Sequence, residues 1–138
     1  VLLPKTRLFP QTRPMLDALE DMGVSLGVVT NKYHFRIMEA LETFSMLDWF
    51  SVVVGADDVG VSKPDPAVLN RAAELLGMEK KAILYVGDSV VDAMTAQAAD
   101  VPFLGVTTGT TAPSDFLAYP HVAVLPSVGE LPDYLAKS

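Results

Sequence analysis

The chain has 138 residues, half of them hydrophobic, with a formal net charge of −7 and no cysteine. This length and composition suit a single domain with its own hydrophobic core. The acidic balance and the scattered Lys and Arg residues argue against nucleic-acid or membrane-surface partners, and the lack of cysteine excludes disulfides and thiolate metal sites. No apolar run approaches the roughly 18 residues of a membrane span. Since nothing indicates secretion, we expect a cytoplasmic protein.

The first part of the chain alternates amphipathic helices with short apolar strands. Residues 1–9 are apolar, basic and interrupted by proline, and they indicate a linker arriving from an upstream segment. The expected elements are a helix at 14–22, a strand at 24–29, a helix at 33–44 and a strand at 51–55.

The second part continues this alternation. Residues 57–66 have the composition of a loop, which ends with Asp65 as helix N-cap and Pro66 as the first helical residue. Strands that alternate with helices of about 10 residues predict an α/β fold, an open parallel Rossmann-like sheet flanked by helices. The expected elements are a helix at 66–76, a strand at 82–86, a helix at 90–99, a strand at 103–106, a loop at 107–114, a strand at 122–125 and a helix at 128–136.

An aspartate follows the apolar strand predicted at 82–86. Asp88 comes after Gly87, at the strand's carboxyl end, where open α/β sheets bind their ligands. Asp92 comes one helical turn later, so both carboxylates can face one small volume if a helix begins near Ser89. Two hard oxygen ligands of this kind could share a magnesium ion. The alternative is that Asp88 only caps the helix and that Asp92 is a solvated first-turn acid.

Two other predicted segments carry groups that suit a phosphate. Thr30 and Asn31 follow the strand at 24–29 and offer hydrogen-bond donors, and Lys63 lies in the long loop as a cation. A phosphoryl group needs such donors, a lysine against developing charge, and carboxylates that hold a bridging metal. Taken singly, Thr30 and Asn31 could form an ordinary turn, and Lys63 could be a solvated lysine before a proline.

Three runs occur in an order that is specific to one protein family. Residues 28–32 (Val-Val-Thr-Asn-Lys), 62–66 (Ser-Lys-Pro-Asp-Pro) and 86–92 (Val-Gly-Asp-Ser-Val-Val-Asp) resemble the second, third and fourth motifs of the haloacid dehalogenase superfamily. Within that superfamily the chain is most similar to the phosphoglycolate phosphatase-like branch. The resemblance covers nearly the whole chain and implies the superfamily's core domain over residues 1–138, with residues 1–9 as the linker from a cap.

The resemblance also implies a role for each residue at the strand ends. Thr30 and Asn31 would bind the transferring phosphoryl group, and Lys63 would neutralise that group and the nucleophile. Asp88 would ligate Mg²⁺, and Asp92 would complete or support the metal site. Catalytic roles thus fall to Thr30, Lys63, Asp88 and Asp92. This pair of acids favours the magnesium phosphatases over the metal-free dehalogenases of the superfamily.

The family's first motif, an Asp-x-Asp-x-Thr run that supplies the nucleophile and the general acid/base, is absent from this sequence. The cap is missing too, so the chain resembles the carboxyl-terminal two-thirds of such an enzyme, and we expect it to be inactive alone. In the family, the missing strand lies at the centre of the sheet. Residues 1–3 are the spare apolar segment that could fill this position, and a bound amino-terminal fragment or a homodimer are the alternatives.

Two functions therefore stand against each other. The first is the core of a magnesium-dependent phosphatase that hydrolyses small phosphate monoesters through an aspartyl-phosphate in the complete enzyme. The second is a non-catalytic module that keeps the sheet to bind a partner or a phosphorylated ligand. A phosphoacceptor receiver domain fits poorly, because no acidic pair follows the first strand and Lys63 lies in a proline-flanked loop.

Overall fold

The computed structural model describes residues 2–3, 13–31, 33–43, 49–107 and 112–137. In chain order the strands are β1 (Leu2–Leu3), β2 (Gly27–Val29), β3 (Val52–Val54), β4 (Tyr85–Gly87), β5 (Phe103–Val106) and β6 (Ala123–Leu125). They form one parallel sheet in the order β3-β2-β1-β4-β5-β6. The predicted α/β fold with an open parallel sheet is confirmed.

Helices cover both faces of this sheet. They are α1 (Arg13–Asp21), α2 (His34–Thr43), α3 (Ala56–Val59), α4 (Ala67–Leu76), α5 (Val90–Ala99), α6 (Pro113–Phe116) and α7 (Leu131–Lys137), with 3-10 turns at Lys80–Ala82 and Val128–Glu130. Buried side chains of α1, α2 and α7 share one hydrophobic cluster, and those of α4, α5 and α6 share the other. The sheet therefore separates two cores.

Neighbouring residues in β2 and β4 belong to opposite cores. Val28 packs with α1 and α2, whereas Val29 packs with α4. In β4, Tyr85 belongs to the same cluster as Val29, and Val86 belongs to that of Val28. This follows from the two-residue repeat of a strand. With both faces covered by apolar side chains, polar chemistry is left to the ends of the strands.

The centre of the sheet is occupied by β1. Leu2 pairs with Gly27 on one side and Tyr85 on the other, and Leu3 pairs with Val28. The hypothesis that residues 1–3 fill the central position is confirmed for Leu2 and Leu3, while Val1 lies outside the described residues. The linker predicted at 1–9 falls mostly outside them as well. No residue from 1 to 12 is an Asp or a Glu, so this strand brings no carboxylate to the site.

The loop predicted at 57–66 is wrong at its start, because its first three residues belong to α3 (Ala56–Val59). The Asp58 carboxylate accepts the Gly55 N–H at 2.7 Å, which stabilises this short turn, and Gly60 ends it with a φ of 77°. At the other end of the loop, α4 begins at Ala67 rather than at Pro66. The prediction of Asp65 as the N-cap is wrong by one residue, because Pro66 takes that position, although the Asp65 carboxylate accepts the Ala67 N–H at 2.9 Å.

The loop predicted at 107–114 is wrong at its end, because α6 begins at Pro113, and residues 108–111 lie outside the described ranges. The predicted helices and strands elsewhere match within a few residues, and α5 and β5 match at both ends. The closing helix differs, since its first turn is of 3-10 type. No helix of the described ranges combines the length and the apolar character that a bilayer crossing requires.

Candidate active site

The first part of the site lies where β4 runs into α5. Ser89 is the N-cap of α5, and its hydroxyl accepts the Asp92 N–H at 3.3 Å, so the alternative of Asp88 as the cap is wrong. Asp92 is buried, which also rules out a solvated acid. Its side chain lies against Gly87, where an added Cβ would come within 2.4 Å of the Asp92 Cβ. The Gly-Asp-Ser turn thus lets a helix carboxylate pack against the strand end.

Both carboxylate oxygens of Asp92 accept hydrogen bonds from the protein. Oδ1 accepts from Lys63 Nζ at 2.6 Å and from the Tyr85 hydroxyl at 2.7 Å. Oδ2 accepts from the Asp88 N–H at 3.2 Å and from the Ser89 hydroxyl at 3.0 Å. A buried carboxylate needs such partners, because burial removes its hydration. Asp92 is therefore the common acceptor that joins β4, α5 and the loop of Lys63.

Lys63 reaches this carboxylate from the loop between α3 and α4, next to a cis bond to Pro64. Its side chain is 9% exposed, so the alternative of a solvated lysine is wrong. Besides Asp92, its ammonium donates to the Tyr85 hydroxyl at 3.0 Å. A charged lysine is buried at this level when its charge is paired, as it is here.

The second polar segment is attached to the Lys63 loop through its backbone. Asn31 Oδ1 accepts the Lys63 N–H at 2.6 Å, a contact across 32 positions of sequence. Asn31 thus does more than close a local turn. The neighbouring Thr30 is buried, and its N–H donates to the Val54 carbonyl at 3.1 Å, which continues the pairing of β2 with β3.

Hydrogen bonds thus connect all the strand ends that the sequence singled out. They run from Asn31 through Lys63 to Asp92 and on to the Asp88 backbone. Thr30 lies at the same edge, as the residue before Asn31. The predicted convergence at the carboxyl ends of the strands is therefore present. Amide, ammonium and carboxylate groups meet at this edge, a combination that can hold an anionic ligand beside a cation.

The electrostatics of the site centre on the Tyr85 hydroxyl. Burial raises the pKa of this hydroxyl well above 10.0, and the charge of Asp92, the hydrogen bond to Asp92 and the charge of Asp88 raise it further. The tyrosine therefore keeps its proton at neutral pH. In that form it can donate to Asp92 while it accepts from Lys63.

An exposed cluster adjoins the site beyond β3. The backbone N–H of His34 donates to Asp57 at 2.8 Å, and His34 Nδ1 lies 2.9 Å from the Asp58 carboxylate. Partial burial raises the pKa of Asp58, but the Gly55 N–H and the His34 ring outweigh this and hold it below its ordinary value. This cluster attaches the start of α2 to α3.

The donor set only partly fits the predicted magnesium ion. Among the residues described, no three His, Asp or Glu side chains are grouped so that they could hold a metal ion. The four donors on Asp92 already use its two oxygens. Asp88 lies in the same turn, and its charge acts on the Tyr85 hydroxyl. The described residues therefore do not form a complete Mg²⁺ site by themselves.

Tyr85 and Ser89 are the contributors that the sequence analysis did not identify as site residues. Tyr85 lies in an apolar run, where an aromatic side chain is expected to serve the core. The available signal was its hydroxyl, since a buried tyrosine usually finds a hydrogen-bond partner. Ser89 stands three residues before an acid at a helix start, which is a capping pattern.

A polar site at the carboxyl ends of a doubly wound parallel sheet defines a ligand-binding α/β protein. Residues 2–106 match the family of haloacid dehalogenase-like hydrolases. The chain belongs to this family, and the resemblance inferred from the three motifs is confirmed.

Curated relatives and solved structures agree with this assignment. The chain is 38% identical over 132 residues to a phosphoglycolate phosphatase of Yersinia pseudotuberculosis, covering 90% of this chain and 56% of the relative. It is 44% identical over 104 residues to that of Salmonella paratyphi A, covering 75% and 41%. The chain thus spans about half the length of these curated relatives.

Among solved structures, a haloacid dehalogenase-like hydrolase of Bacteroides fragilis superimposes with a TM-score of 0.85 at 43% identity, covering 90% of this chain and 59% of that one. A superfamily hydrolase of Geobacter sulfurreducens gives a TM-score of 0.75 at 34% identity, with coverages of 88% and 57%. Both likenesses extend over most of the described fold.

Proposed function

We propose that this chain is the phosphate-holding part of a phosphatase that acts on small phosphate monoesters of the phosphoglycolate type. The observation that carries the proposal is the buried Lys63–Asp92 ion pair at 2.6 Å, joined through the Lys63 backbone to Asn31. This pair places a cation at the edge where the strands end. The phosphoglycolate phosphatases among the relatives support this substrate class.

In this proposal the phosphoryl oxygens are held by Thr30, Asn31 and Lys63. The hydroxyl and amide groups donate hydrogen bonds, and the ammonium balances the charge that builds up on the equatorial oxygens during transfer. Because Asn31 and Asp92 both hold Lys63, its ammonium is fixed before the substrate arrives. A cation that is already in position needs little reorganisation when the transition state forms.

We propose Asp88 as a carboxylate ligand of Mg²⁺ and Asp92 as the residue that positions Lys63, with further ligands supplied from outside the described residues. Bound Mg²⁺ would polarise the phosphate oxygens. Titration of this chain with Mg²⁺ should show weak binding, and Asp88→Ala should lose more affinity than Asp92→Ala. Isothermal calorimetry measures both, and equal losses would contradict the assignment.

The nucleophile has to come from outside this sequence, which lacks the Asp-x-Asp-x-Thr run. In the complete enzyme an aspartate carboxylate would attack phosphorus, the ester P–O bond would break, and the leaving alcohol would take a proton from the general acid. Water would then hydrolyse the aspartyl-phosphate, releasing inorganic phosphate and restoring the carboxylate. We expect no turnover from this chain alone, and we place the complete enzyme in the cytoplasm.

A non-catalytic binding module remains the second candidate. The observation that favours it is β1, which fills the centre of the sheet without bringing a carboxylate. Such a module would still bind inorganic phosphate but would not be activated by any added segment. In the first candidate, a second copy of the chain or a bound amino-terminal fragment would replace β1 at the centre of the sheet.

The deciding experiment assays this chain against 2-phosphoglycolate and other small phosphate monoesters. It is run with and without an added polypeptide that carries a strand followed by Asp-x-Asp-x-Thr. Phosphate release that depends on both parts and is lost in Lys63→Gln supports the phosphatase. Phosphate binding without release under any condition supports the binding module. If neither binding nor release occurs, both proposals fail.

A further inference from the structure

We propose that Tyr85 is a positioning residue for the Lys63 ammonium, and that its hydroxyl leaves one N–H of that ammonium directed at the bound phosphate. The proposal deepens the function proposed above, since it rests on Lys63 as the phosphate-binding cation. Its geometric part concerns three side chains of this chain and can be tested separately.

The three polar groups form a closed triangle of hydrogen bonds. Lys63 Nζ donates to the Tyr85 hydroxyl at 3.0 Å and to Asp92 Oδ1 at 2.6 Å, while the Tyr85 hydroxyl donates to the same Oδ1 at 2.7 Å. A phenol has one proton. Because that proton is given to Asp92, the oxygen lone pairs of Tyr85 are left to accept from Lys63. The direction of every bond in the triangle is therefore fixed.

This arrangement uses two of the three donors of the ammonium. The third N–H of Lys63 has no protein acceptor among the described residues. With Asp92 as the sole acceptor, one hydrogen bond would have to break for the ammonium to rotate by a third of a turn about the Cε–Nζ bond. The second bond, to Tyr85, has to break in the same rotation, so it slows that rotation and holds the remaining N–H in one orientation. A preset donor is worth more to a developing charge than one that must be ordered on binding.

The tyrosine ring is itself held in place by the core. Tyr85 is fully buried, and its ring lies 6.2 Å from that of Phe103 at an interplanar angle of 60°. Lys63 Nζ lies 5.7 Å from the centroid of the same ring. Since the ring is fixed by packing, Tyr85→Phe removes one oxygen and leaves the packing as it is. The variant thus isolates the hydroxyl.

The test uses NMR of the whole chain labelled with ¹⁵N on lysine, with Lys63→Arg assigning the signal. In the wild type we expect an observable, slowly exchanging Lys63 ammonium with a cross-relaxation peak to the Tyr85 hydroxyl proton. In Tyr85→Phe the ammonium should exchange about fivefold faster, as the loss of one hydrogen bond predicts. Tyr119→Phe, which removes a hydroxyl from a residue packed on the same core, should leave the exchange unchanged.

Inorganic phosphate supplies the second measurement. We expect Tyr85→Phe to weaken phosphate binding about three- to tenfold while Tyr119→Phe leaves it unchanged. A wild-type spectrum without the Lys63–Tyr85 peak overturns the proposal whether or not the variant folds, and equal exchange in the wild type and a folded Tyr85→Phe variant overturns it as well. If the peak is present but no variant or wild type binds phosphate, the positioning holds and the proposed function fails.

Discussion

Two contacts between a basic and an acidic side chain, at the same edge of the sheet, differ in depth. Lys63 and Asp92 have side chains that are 9% and 3% exposed, whereas His34 and Asp58 are 40% and 33% exposed. Burial removes the hydration of both charges in the buried pair. Further hydrogen bonds from the protein replace that hydration. The exposed pair attaches one helix to another and is screened by solvent. The buried charges thus lie where β4 ends, and the pair beyond β3 lies nearer to solvent.

The largest effect should follow from Asp92→Asn, which removes the charge and keeps the shape. It leaves the Lys63 ammonium buried without a carboxylate, so we expect a loss of about 3 kcal/mol in the free energy of unfolding. Urea unfolding measures it. A second exposed pair, between Arg71 and Glu74, supplies the comparison. Glu74→Gln removes its negative charge and should cost less than about 0.5 kcal/mol in the free energy of unfolding. Equal losses in the two variants would erase the contrast between buried and exposed pairs.

The next effect concerns the contact of the buried pair with the strand. In Gly87→Ala the new Cβ would meet the Asp92 side chain at 2.4 Å, so the helix or the strand end has to shift, at a cost of about 1–3 kcal/mol. Thermal unfolding measures it. Gly129→Ala is the control, because its Cβ would lie 3.4 Å from Ser127, an ordinary contact. A stable Gly87→Ala variant would show that Asp92 does not need this close approach.

The buried tyrosine adds a dependence on alkaline pH. Because the pKa of Tyr85 is raised in the folded chain, the stabilisation it brings is present below the unfolded pKa of about 10 and is lost as pH rises towards the folded pKa. Above pH ~10 the wild type should lose about 1.4 kcal/mol more per pH unit than Tyr85→Phe. Urea unfolding at several pH values measures this. Parallel curves would show that Tyr85 ionises equally in both states.

The exposed pair of His34 and Asp58 should give the smallest effect, and its pH dependence should appear at acid pH. The pKa of Asp58 is lowered, so its contribution is present above the unfolded value near 3.9 and is lost as pH falls through the folded pKa. We expect Asp58→Asn to cost less than about 0.5 kcal/mol at neutral pH and to flatten the acid limb slightly. Asp115→Asn is matched, because Asp115 also accepts a backbone N–H three residues back, from Ala112. A larger effect for Asp115 would contradict a role for His34.

Much of the fold could be predicted from the sequence, because its signals are local. Apolar runs closed by glycine or by short polar residues marked the strands, and α5 and β5 came out with both boundaries correct. The turn at α3 was missed for the opposite reason. Asp57 and Asp58 are residue types that are common in loops. The Asp57 carboxylate accepts a hydrogen bond from the His34 N–H, 23 residues away. A contact of that range leaves no periodic trace in the sequence.

The motif residues of the site could be predicted from the sequence, but their pairing and the contributions of Tyr85 and Ser89 could not. Strand ends and motif order indicated that Lys63, Asp88 and Asp92 belong together, since parallel strands end at one edge. The sequence could not show that the Asp92 carboxylate would accept hydrogen bonds from four donors, because this depends on how the loop of Lys63 packs over β4. Nor could it assign the Tyr85 hydroxyl, whose ring alone accounts for its place in an apolar strand.

The position of Lys63 has a consequence for the centre of the sheet. Through its backbone it contacts Asn31, beyond β2, and through its side chain it contacts Asp92, beyond β4, so it bridges the two halves without using β1. The strand between them is paired at two positions with β2 and at one with β4. We therefore expect β2 and β3 to keep their alignment with β4, β5 and β6 if another segment of chain displaces Leu2 and Leu3. The central strand of this sheet could then be exchanged for another.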